Sequence, residues 1–153
     1  MLKRDAQYMQ EALKEAQKAL EEDEVPVGAV IVYQGKIIAR SHNQVERLKD
    51  PTAHAEMLAL TSASSYLGNK WLSNTSIYVT IEPCSMCAGA LVLARINSLY
   101  FGARDPKAGA CGSVVNIVNH KKLNHHIKVK SGILEEKCGF LLKGFFKRKR
   151  TRR

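Results

Sequence analysis

Two short segments of the chain carry residues that together could bind a metal ion and move a proton. His54 and Glu56 are separated by one residue, and Cys84 and Cys87 lie thirty or more residues further on, in a Pro-Cys-x-x-Cys segment. An imidazole and two thiolates supply three zinc ligands, whereas a structural zinc site usually has four. Three protein ligands leave an open position at which zinc activates water. The pattern therefore predicts one catalytic Zn²⁺ per chain and a hydrolytic reaction.

Glu56 is predicted to serve the activated water rather than to bind the metal. Two positions along an ideal helix rotate the side chain by about 200°, so His54 and Glu56 point in different directions. A carboxylate in this position can take a proton from water and pass it to the substrate. We therefore expect Glu56 to be a catalytic proton shuttle.

The cysteines and histidines of the chain also allow other interpretations. A lone Cys-x-x-Cys segment also occurs in thioredoxin-like redox proteins. Cys111 and Cys138 are alternative ligands by residue type, but we expect both to be plain buried or free thiols. The remaining histidines have no metal-ligand spacing with the motif and are expected to be ordinary polar residues: His42, His120, His125 and His126.

Alternating helical and extended patterns predict the elements that position these residues. Apolar residues spaced by three and four over 2–20 predict an amphipathic helix with Asp5 as a possible cap. Two β-rich runs, 27–33 and 36–42, flank Gln34-Gly35 and predict a hairpin. The later predicted elements are a loop over 44–53, a helix opened by Asp50-Pro51 and running to 67, a strand over 75–81, a helix over 83–94, strands over 97–101 and 127–130, and a helix over 133–149.

This order predicts an α/β fold, in which a mixed five-stranded sheet is covered by helices on both faces. The helices that carry His54 and Cys84 both follow extended segments, so their starts could meet at one edge of the sheet. Helix N-termini favour thiolate over thiol, which suits a metal site. No linker or repeat divides the chain, and we expect a single domain over 1–153 with a basic C-terminal helix and tail.

The charge of the chain is concentrated in its last third. The net charge is +10, and residues 95–153 contain fifteen Lys or Arg but only three Asp or Glu. Such a basic region indicates a polyanionic partner, with nucleic acid favoured over membrane. No apolar run approaches the ~20 residues that span a bilayer, and no signal peptide is apparent. We therefore expect a cytoplasmic protein that does not enter a membrane.

The motifs resemble those of a known family. His-Ala-Glu with Pro-Cys-x-x-Cys is the signature of the zinc-dependent cytidine/deoxycytidylate deaminase family, which acts on nucleosides and nucleobases. Within that family the chain is similar to enzymes that deaminate adenosine in tRNA, and the similarity runs along nearly the whole sequence. The matching segments are VPVGAVIV at 25–32, His42-Asn43, DPTAHAEMLAL at 50–60, YVTIEPCSMCAGALVLARI at 78–96, FGARDPKAGACGS at 101–113 and GFFKRKR at 144–150.

The resemblance implies a cytidine-deaminase-like three-layer α/β/α sandwich and a homodimer. It implies hydrolytic conversion of adenosine to inosine at the wobble position of a tRNA anticodon loop, with His54, Cys84 and Cys87 as zinc ligands. Glu56 would accept the water proton, deliver it to N1 of adenine and later help ammonia to leave.

The resemblance also implies substrate contacts. Asn43 would hydrogen-bond the purine, since an amide can both donate and accept, although it could also be a turn residue at a strand end. Asp105 would contact the nucleotide beside the target, and Lys107 a nearby phosphate. Without the resemblance, isolated loop residues of these types are expected to be solvated charges.

The C-terminal helix combines aromatic and basic residues, as single-stranded RNA binding requires. Phe145 and Arg148 are the predicted RNA contacts in this region, where residues 143–153 carry seven positive charges and no negative ones. The alternative is that both phenylalanines, Phe145 and Phe146, belong to the core. We expect at least one of them to be buried and the other to meet the RNA.

Two other functions remain open at this point. A deaminase of a free base or nucleotide, such as guanine or cytosine, would share the zinc motif but has less need of the basic last third. A non-catalytic RNA-binding zinc subunit could keep the three ligands, but it would have no reason to keep Glu56.

Overall fold

Five strands form one mixed sheet in the order β2-β1-β3-β4-β5 in the computed structural model, which describes residues 2–151. The strands are β1 (Gly28–Tyr33), β2 (Lys36–His42), β3 (Thr75–Ile81), β4 (Ser98–Ala103) and β5 (Lys128–Lys130). β1 is antiparallel to both β2 and β3, whereas β3, β4 and β5 run parallel to one another. The predicted mixed five-stranded sheet is confirmed.

Helices cover both faces of this sheet. They are α1 (Lys3–Glu21), α2 (Val45–Leu48), α3 (Ala55–Leu67), α4 (Ser85–Leu93) and α5 (Glu135–Thr151). α1 and α5 pack together on one face, whereas α3 and α4 pack together on the other. The three-layer α/β/α sandwich is therefore confirmed. None of the helices in the described part of the chain is long and apolar enough to cross a membrane.

The first strand shows why the sheet needs a helix on each face. Successive side chains of a strand point to opposite sides, and here Ile31 packs into the core beneath α3, whereas Val30 packs into the core beneath α1. At the start of the strand, a Cβ on Gly28 would lie 2.0 Å from the carbonyl oxygen of Ala12 in α1. Glycine therefore allows α1 to lie directly against the sheet.

The predicted cap of the first helix is wrong. Leu2 occupies the N-cap position without a side-chain hydrogen bond, and Asp5 lies inside the first turn. The Asp5 carboxylate is fully buried and accepts a hydrogen bond from the Tyr78 hydroxyl at 2.7 Å. An acidic residue in a first turn is still favoured by the helix dipole, but tertiary packing turns it toward the sheet instead of the helix end.

The helices that carry the motif begin later than the sequence suggested. Asp50 Oδ1 accepts hydrogen bonds from the backbone N–H and hydroxyl of Thr52, which folds this segment into an Asx turn and delays α3 to Ala55. The predicted loop over 44–53 contains the short helix α2. The fourth helix begins at Ser85 rather than at Pro83. The last two tail residues, 152 and 153, lie outside the described residues.

Candidate active site and metal centre

Two helix starts bring the three predicted metal ligands together. His54 and Cys84 are the extended residues that immediately precede α3 and α4, and Cys87 lies in the first turn of α4. The Sγ atoms of Cys84 and Cys87 each lie 3.6 Å from Nδ1 of His54. Because the extended caps sit beside the carboxyl end of β3, the three side chains converge at one edge of the sheet.

The spacing of these three atoms suits a metal ion. All three ligand atoms lie within 4.8 Å of one another. Tetrahedral bonds of about 2.3 Å to sulfur and 2.0–2.1 Å to nitrogen place the two ligand types about 3.6 Å apart, which matches both separations. Thiolate and imidazole ligands together are typical of zinc. The group can therefore hold a metal ion, and its donor set and spacing fit zinc.

Hydrogen bonds within the group of three ligands favour ionisation of the Cys84 thiol. The pKa of the Cys84 thiol is lowered to about 3, because Cys87 and His54 hydrogen-bond to its sulfur. The pKa of His54 is raised, chiefly by its hydrogen bond to Cys84. The pKa of Cys87 is raised by its hydrogen bond with Cys84 and by burial. These shifts favour ionisation of Cys84 before Cys87, and a bound metal would take both sulfurs as thiolates.

Glu56 lies beside this group in the first turn of α3. Its side chain is 3% exposed, and burial raises the pKa of its carboxyl to about 7. The carboxyl also hydrogen-bonds with Cys87. A carboxyl group with a pKa near neutrality can both accept and release a proton in the same cycle, as a proton shuttle must.

Asn43 follows the last residue of β2 and is tied to the same helix. Its Oδ1 accepts a hydrogen bond from the Ala55 backbone N–H at 2.8 Å, and its own backbone N–H donates to the Val27 carbonyl at 3.1 Å. The side chain is largely buried and lines the cleft that contains His54 and Glu56. Since the oxygen is engaged by the helix, the amide nitrogen is the group that a ligand can use.

The cleft has a volume of about 1170 Å³, above the 300–1,000 Å³ typical of a pocket for one small molecule. Asp105 and Lys107 both line it, from the loop that follows β4. Asp105 Oδ1 accepts hydrogen bonds from the backbone N–H groups of Lys107 and Ala108, at 3.0 and 3.1 Å. The loop is therefore an ordered wall of the cleft, with room for more than a single base.

The C-terminal helix forms another wall, but not with the residues predicted. Phe145 is 5% exposed and packs inward, whereas Phe146 is 45% exposed and lines the cleft. Arg148 is exposed but does not line the cleft, whereas Lys149 and Arg150 do. The expected division between one buried and one exposed phenylalanine thus holds, but Phe146 offers the free ring. Lys143 also lines the cleft, and Phe146 lies three positions further along the same helix. Residues three apart share one helix face, so this spacing could have indicated in advance that Phe146 faces the cleft.

Two further residues near the site were missed by sequence reasoning. Arg104 lines the cleft and is held by a hydrogen bond to the Ser131 hydroxyl at 3.2 Å. Glu82 is a buried carboxylate beside the cleft, and its only signal in the sequence is its place between an apolar strand and Pro83. Cys111 and Cys138 are buried free thiols outside the ligand group.

The fold and the site together define a class of protein. An α/β/α sandwich that places a histidine, two cysteines and a buried glutamate at two neighbouring helix starts is typical of the hydrolytic deaminases of nucleosides and nucleobases. The sequence profile of the MafB19-like deaminase family matches residues 3–150.

More specific similarity comes from individual relatives. The tRNA-specific adenosine deaminase of Bacillus subtilis (strain 168) is 49% identical over 97% of the chain and 92% of its own length. A structure from a study of A-to-I editing by tRNA:A34 deaminases at the wobble position of transfer RNA has a TM-score of 0.86 at 46% identity, covering 89% of this chain and 99% of the other. A guanine deaminase from Bacillus subtilis is more distant, with a TM-score of 0.64 and 35% identity over 74% of this chain and 71% of its own. The chain belongs to the tRNA-specific adenosine deaminase family.

Proposed function

We propose that this protein converts adenosine to inosine at the wobble position of a tRNA anticodon loop, and that it uses one Zn²⁺ per chain. The observation that carries the proposal is the placement of the Glu56 carboxyl, buried beside the group formed by His54, Cys84 and Cys87. A metal site without a shuttle carboxylate would explain binding, whereas this arrangement provides for proton transfer as well. Such a substrate also agrees with the expected cytoplasmic location.

The three ligands are proposed to hold zinc because their donor types and separations fit its tetrahedral geometry. A zinc ion at this position would lower the pKa of a bound water molecule to about 7. Two thiolates and a neutral imidazole would offset the charge of the ion.

Glu56 is proposed to move the protons of the reaction. Its carboxylate accepts a proton from the attacking water and transfers it to N1 of adenine, as the new C–O bond forms at C6. Glu56 then transfers the remaining proton of the new C6 hydroxyl to the exocyclic nitrogen, so that the C6–N bond breaks and ammonia leaves. The C6 oxygen and the N1 proton remain in the hypoxanthine base of inosine.

Asn43 is proposed to orient the purine. Its oxygen is held by Ala55, so its amide nitrogen is left to donate to a ring nitrogen of the base. The walls of the cleft beside it include Val27 and Ile81, whose apolar surfaces suit a flat ring. A fixed amide and apolar walls together hold the base in one orientation above Glu56.

The remaining walls are proposed to bind the RNA around the target base. A base must leave its stack to enter such a site, and this costs least where the RNA is already unpaired, as in an anticodon loop. Phe146 offers an aromatic face for stacking, and the cations of Lys149 and Arg150 lie on the same helix for phosphates. Asp105 and Lys107 line the same cleft and are proposed to contact the nucleotides next to the target. Arg148 stays a proposed contact for more distant phosphates.

A homodimer is also proposed, through the outer faces of α3 and α4. A surface helix normally carries charged side chains among the polar residues of its outer side. α4 has no charged residue, and the only charged residue of α3 is the buried Glu56. Tyr66 and Leu93, on these two helices, are 61% and 79% exposed. Sedimentation analysis should give a dimer, and Leu93→Lys should give a monomer; a monomeric wild-type protein would contradict this proposal.

The decisive experiment offers the purified protein an anticodon stem-loop RNA and measures inosine by mass spectrometry of the digested RNA. We expect inosine only at the wobble adenosine. Turnover of free guanine or cytosine without inosine in RNA would instead support the alternative of a free-base deaminase. Specific RNA binding without any turnover would support the non-catalytic alternative.

A further inference from the structure

A second buried glutamate lies next to the metal group, outside the proposed chemistry. Glu82 is 2% exposed and connects the end of β3 to Pro83, two residues before Cys84. Its carboxylate accepts four hydrogen bonds, all from the loop that follows β4. The donors are the backbone N–H groups of Asp105 at 3.1 Å, Cys111 at 3.0 Å and Ser113 at 3.0 Å, together with the Ser113 hydroxyl.

The loop fits tightly over this carboxylate. A Cβ added to Gly109 would lie 2.4 Å from the carboxyl carbon of Glu82 and 2.5 Å from each of its oxygens. Glycine is therefore needed at this point, because any side chain would displace the carboxylate. Two backbone hydrogen bonds, both 2.8 Å, join the same segments: the Glu82 N–H donates to the Ala103 carbonyl, and the Ala110 N–H donates to the Pro83 carbonyl.

We propose that Glu82 is a positioning residue for substrate binding, which fixes the 105–113 loop (residues 105 to 113) against the segment that begins the metal site. This inference rests on the proposed function, because the loop carries Asp105 and Lys107 toward the nucleotides beside the target base. Glu82 itself does not act on the reacting atoms, since both of its oxygens are already occupied by two donors each. Its effect on the reaction is exerted through the shape of the cleft.

The number of donors explains why an uncharged amide cannot replace this carboxylate. Glutamine has one acceptor oxygen and one donor nitrogen at the two positions. In one orientation, the amide nitrogen of the glutamine would face the backbone N–H groups of Cys111 and Ser113. In the other orientation, it would face the Asp105 N–H and the Ser113 hydroxyl, and only that hydroxyl can rotate to accept a hydrogen bond. At least one backbone N–H is left without its partner in either orientation, and an unpaired buried donor is costly.

The test compares Glu82→Gln and Gly109→Ala with Gly144→Ala, which adds the same methyl group where nothing lies within 4 Å. For Glu82→Gln and Gly109→Ala, we expect KM for the anticodon stem-loop to rise by about tenfold. In both variants kcat should stay within about twofold of the wild-type value, and zinc content should stay at one per chain. Ser113→Ala should give a smaller rise in KM, since it removes only the hydroxyl donor. A fall in kcat at unchanged KM, or loss of zinc, would overturn the positioning role.

Hydrogen exchange of the same proteins separates this inference from the proposed function. In Glu82→Gln, the amides of Asp105, Cys111 and Ser113 should exchange faster than in the wild-type protein, while those of α3 should not change. Equal protection of the loop in both proteins would overturn the inference, whatever the substrate is. If the wild-type protein makes no inosine, the proposed function fails, and loop exchange still decides whether Glu82 holds the loop.

Discussion

The side-chain oxygen of Asn43 accepts a hydrogen bond from the backbone N–H of Ala55 at 2.8 Å. This contact satisfies one of the free N–H groups at the start of α3 and fastens the end of β2 to the turn that carries His54 and Glu56. The same side chain also lines the cleft. One side chain therefore supports the frame of the site and, on the proposed function, also contacts the base.

Asn43→Asp should separate these two roles. An aspartate keeps the oxygen that caps α3, and its charge is favoured at a helix N-terminus, so the melting temperature should change little. The donor to the purine is lost, and kcat/KM on the stem-loop should fall by about 100-fold or more. Asn43→Ala should lose activity and also about 1 kcal/mol of stability. Full activity of Asn43→Asp would exclude the amide as the purine contact.

Glu56→Gln should remove the proton shuttle without disturbing the metal group. The substitution keeps the shape of the buried side chain, and we expect kcat to fall by about 10²–10⁴ while zinc stays near one per chain. Metal analysis and single-turnover kinetics measure the two effects independently. Glu21→Gln, at the exposed end of α1, is the matched control and should remain active. A Glu56→Gln enzyme as fast as the wild type would rule out the proposed role.

Removal of a metal ligand should lower both metal content and stability. Cys87→Ala leaves two ligands, so bound zinc should fall well below one per chain, and the melting temperature should fall with it, because a metal that binds only the folded state stabilises that state. Cys138→Ala is the control, since this buried thiol lies outside the ligand group. It should keep its zinc and lose only packing stability. Equal zinc loss in both variants would argue against a specific ligand role for Cys87.

The two adjacent phenylalanines should behave differently. Phe145→Ala empties a buried position and should cost roughly 3–5 kcal/mol of folding stability. Phe146→Ala should leave the melting temperature nearly unchanged but weaken stem-loop binding by the 1–3 kcal/mol that a stacked base contributes. Thermal denaturation and fluorescence anisotropy distinguish these outcomes. Unchanged RNA affinity in Phe146→Ala would remove it from the proposed RNA surface.

Deletion of residues 147–153 should weaken RNA binding and reduce its dependence on salt. The deletion removes six positive charges and no negative one, and each lost phosphate contact lowers the slope of log K against log salt by about 0.7–0.9. A Lys121→Ala, Lys122→Ala double variant loses two positive charges on exposed residues outside the cleft, so it measures the effect of each surface charge that is removed. If the two proteins show the same change per charge removed, the C-terminal helix does not contact the RNA.

Several features of this protein could be predicted because they depend on local sequence. The run of β-branched and apolar residues at Thr75–Ile81 gave the bounds of β3 correctly, and Gln34-Gly35 correctly marked the hairpin turn, where both residues have positive φ. The ligand types and their spacing were sufficient to indicate a metal and a hydrolytic class, since few other reactions require that combination of side chains.

Other features required the tertiary structure because they depend on which groups are buried together. Asp5 is not a cap because its carboxylate accepts a hydrogen bond from the Tyr78 hydroxyl. Tyr78 is far away in the sequence, so no local pattern could indicate this partner. Phe145 and Phe146 are neighbours of the same type, and only the packing of α5 against the rest of the fold decides which ring is exposed. In the sequence, Glu82 looks like an ordinary charged residue. Only the tertiary structure shows that the 105–113 loop donates four hydrogen bonds to its carboxylate. The residue types thus determined the chemistry available, whereas the fold decided which atoms could meet.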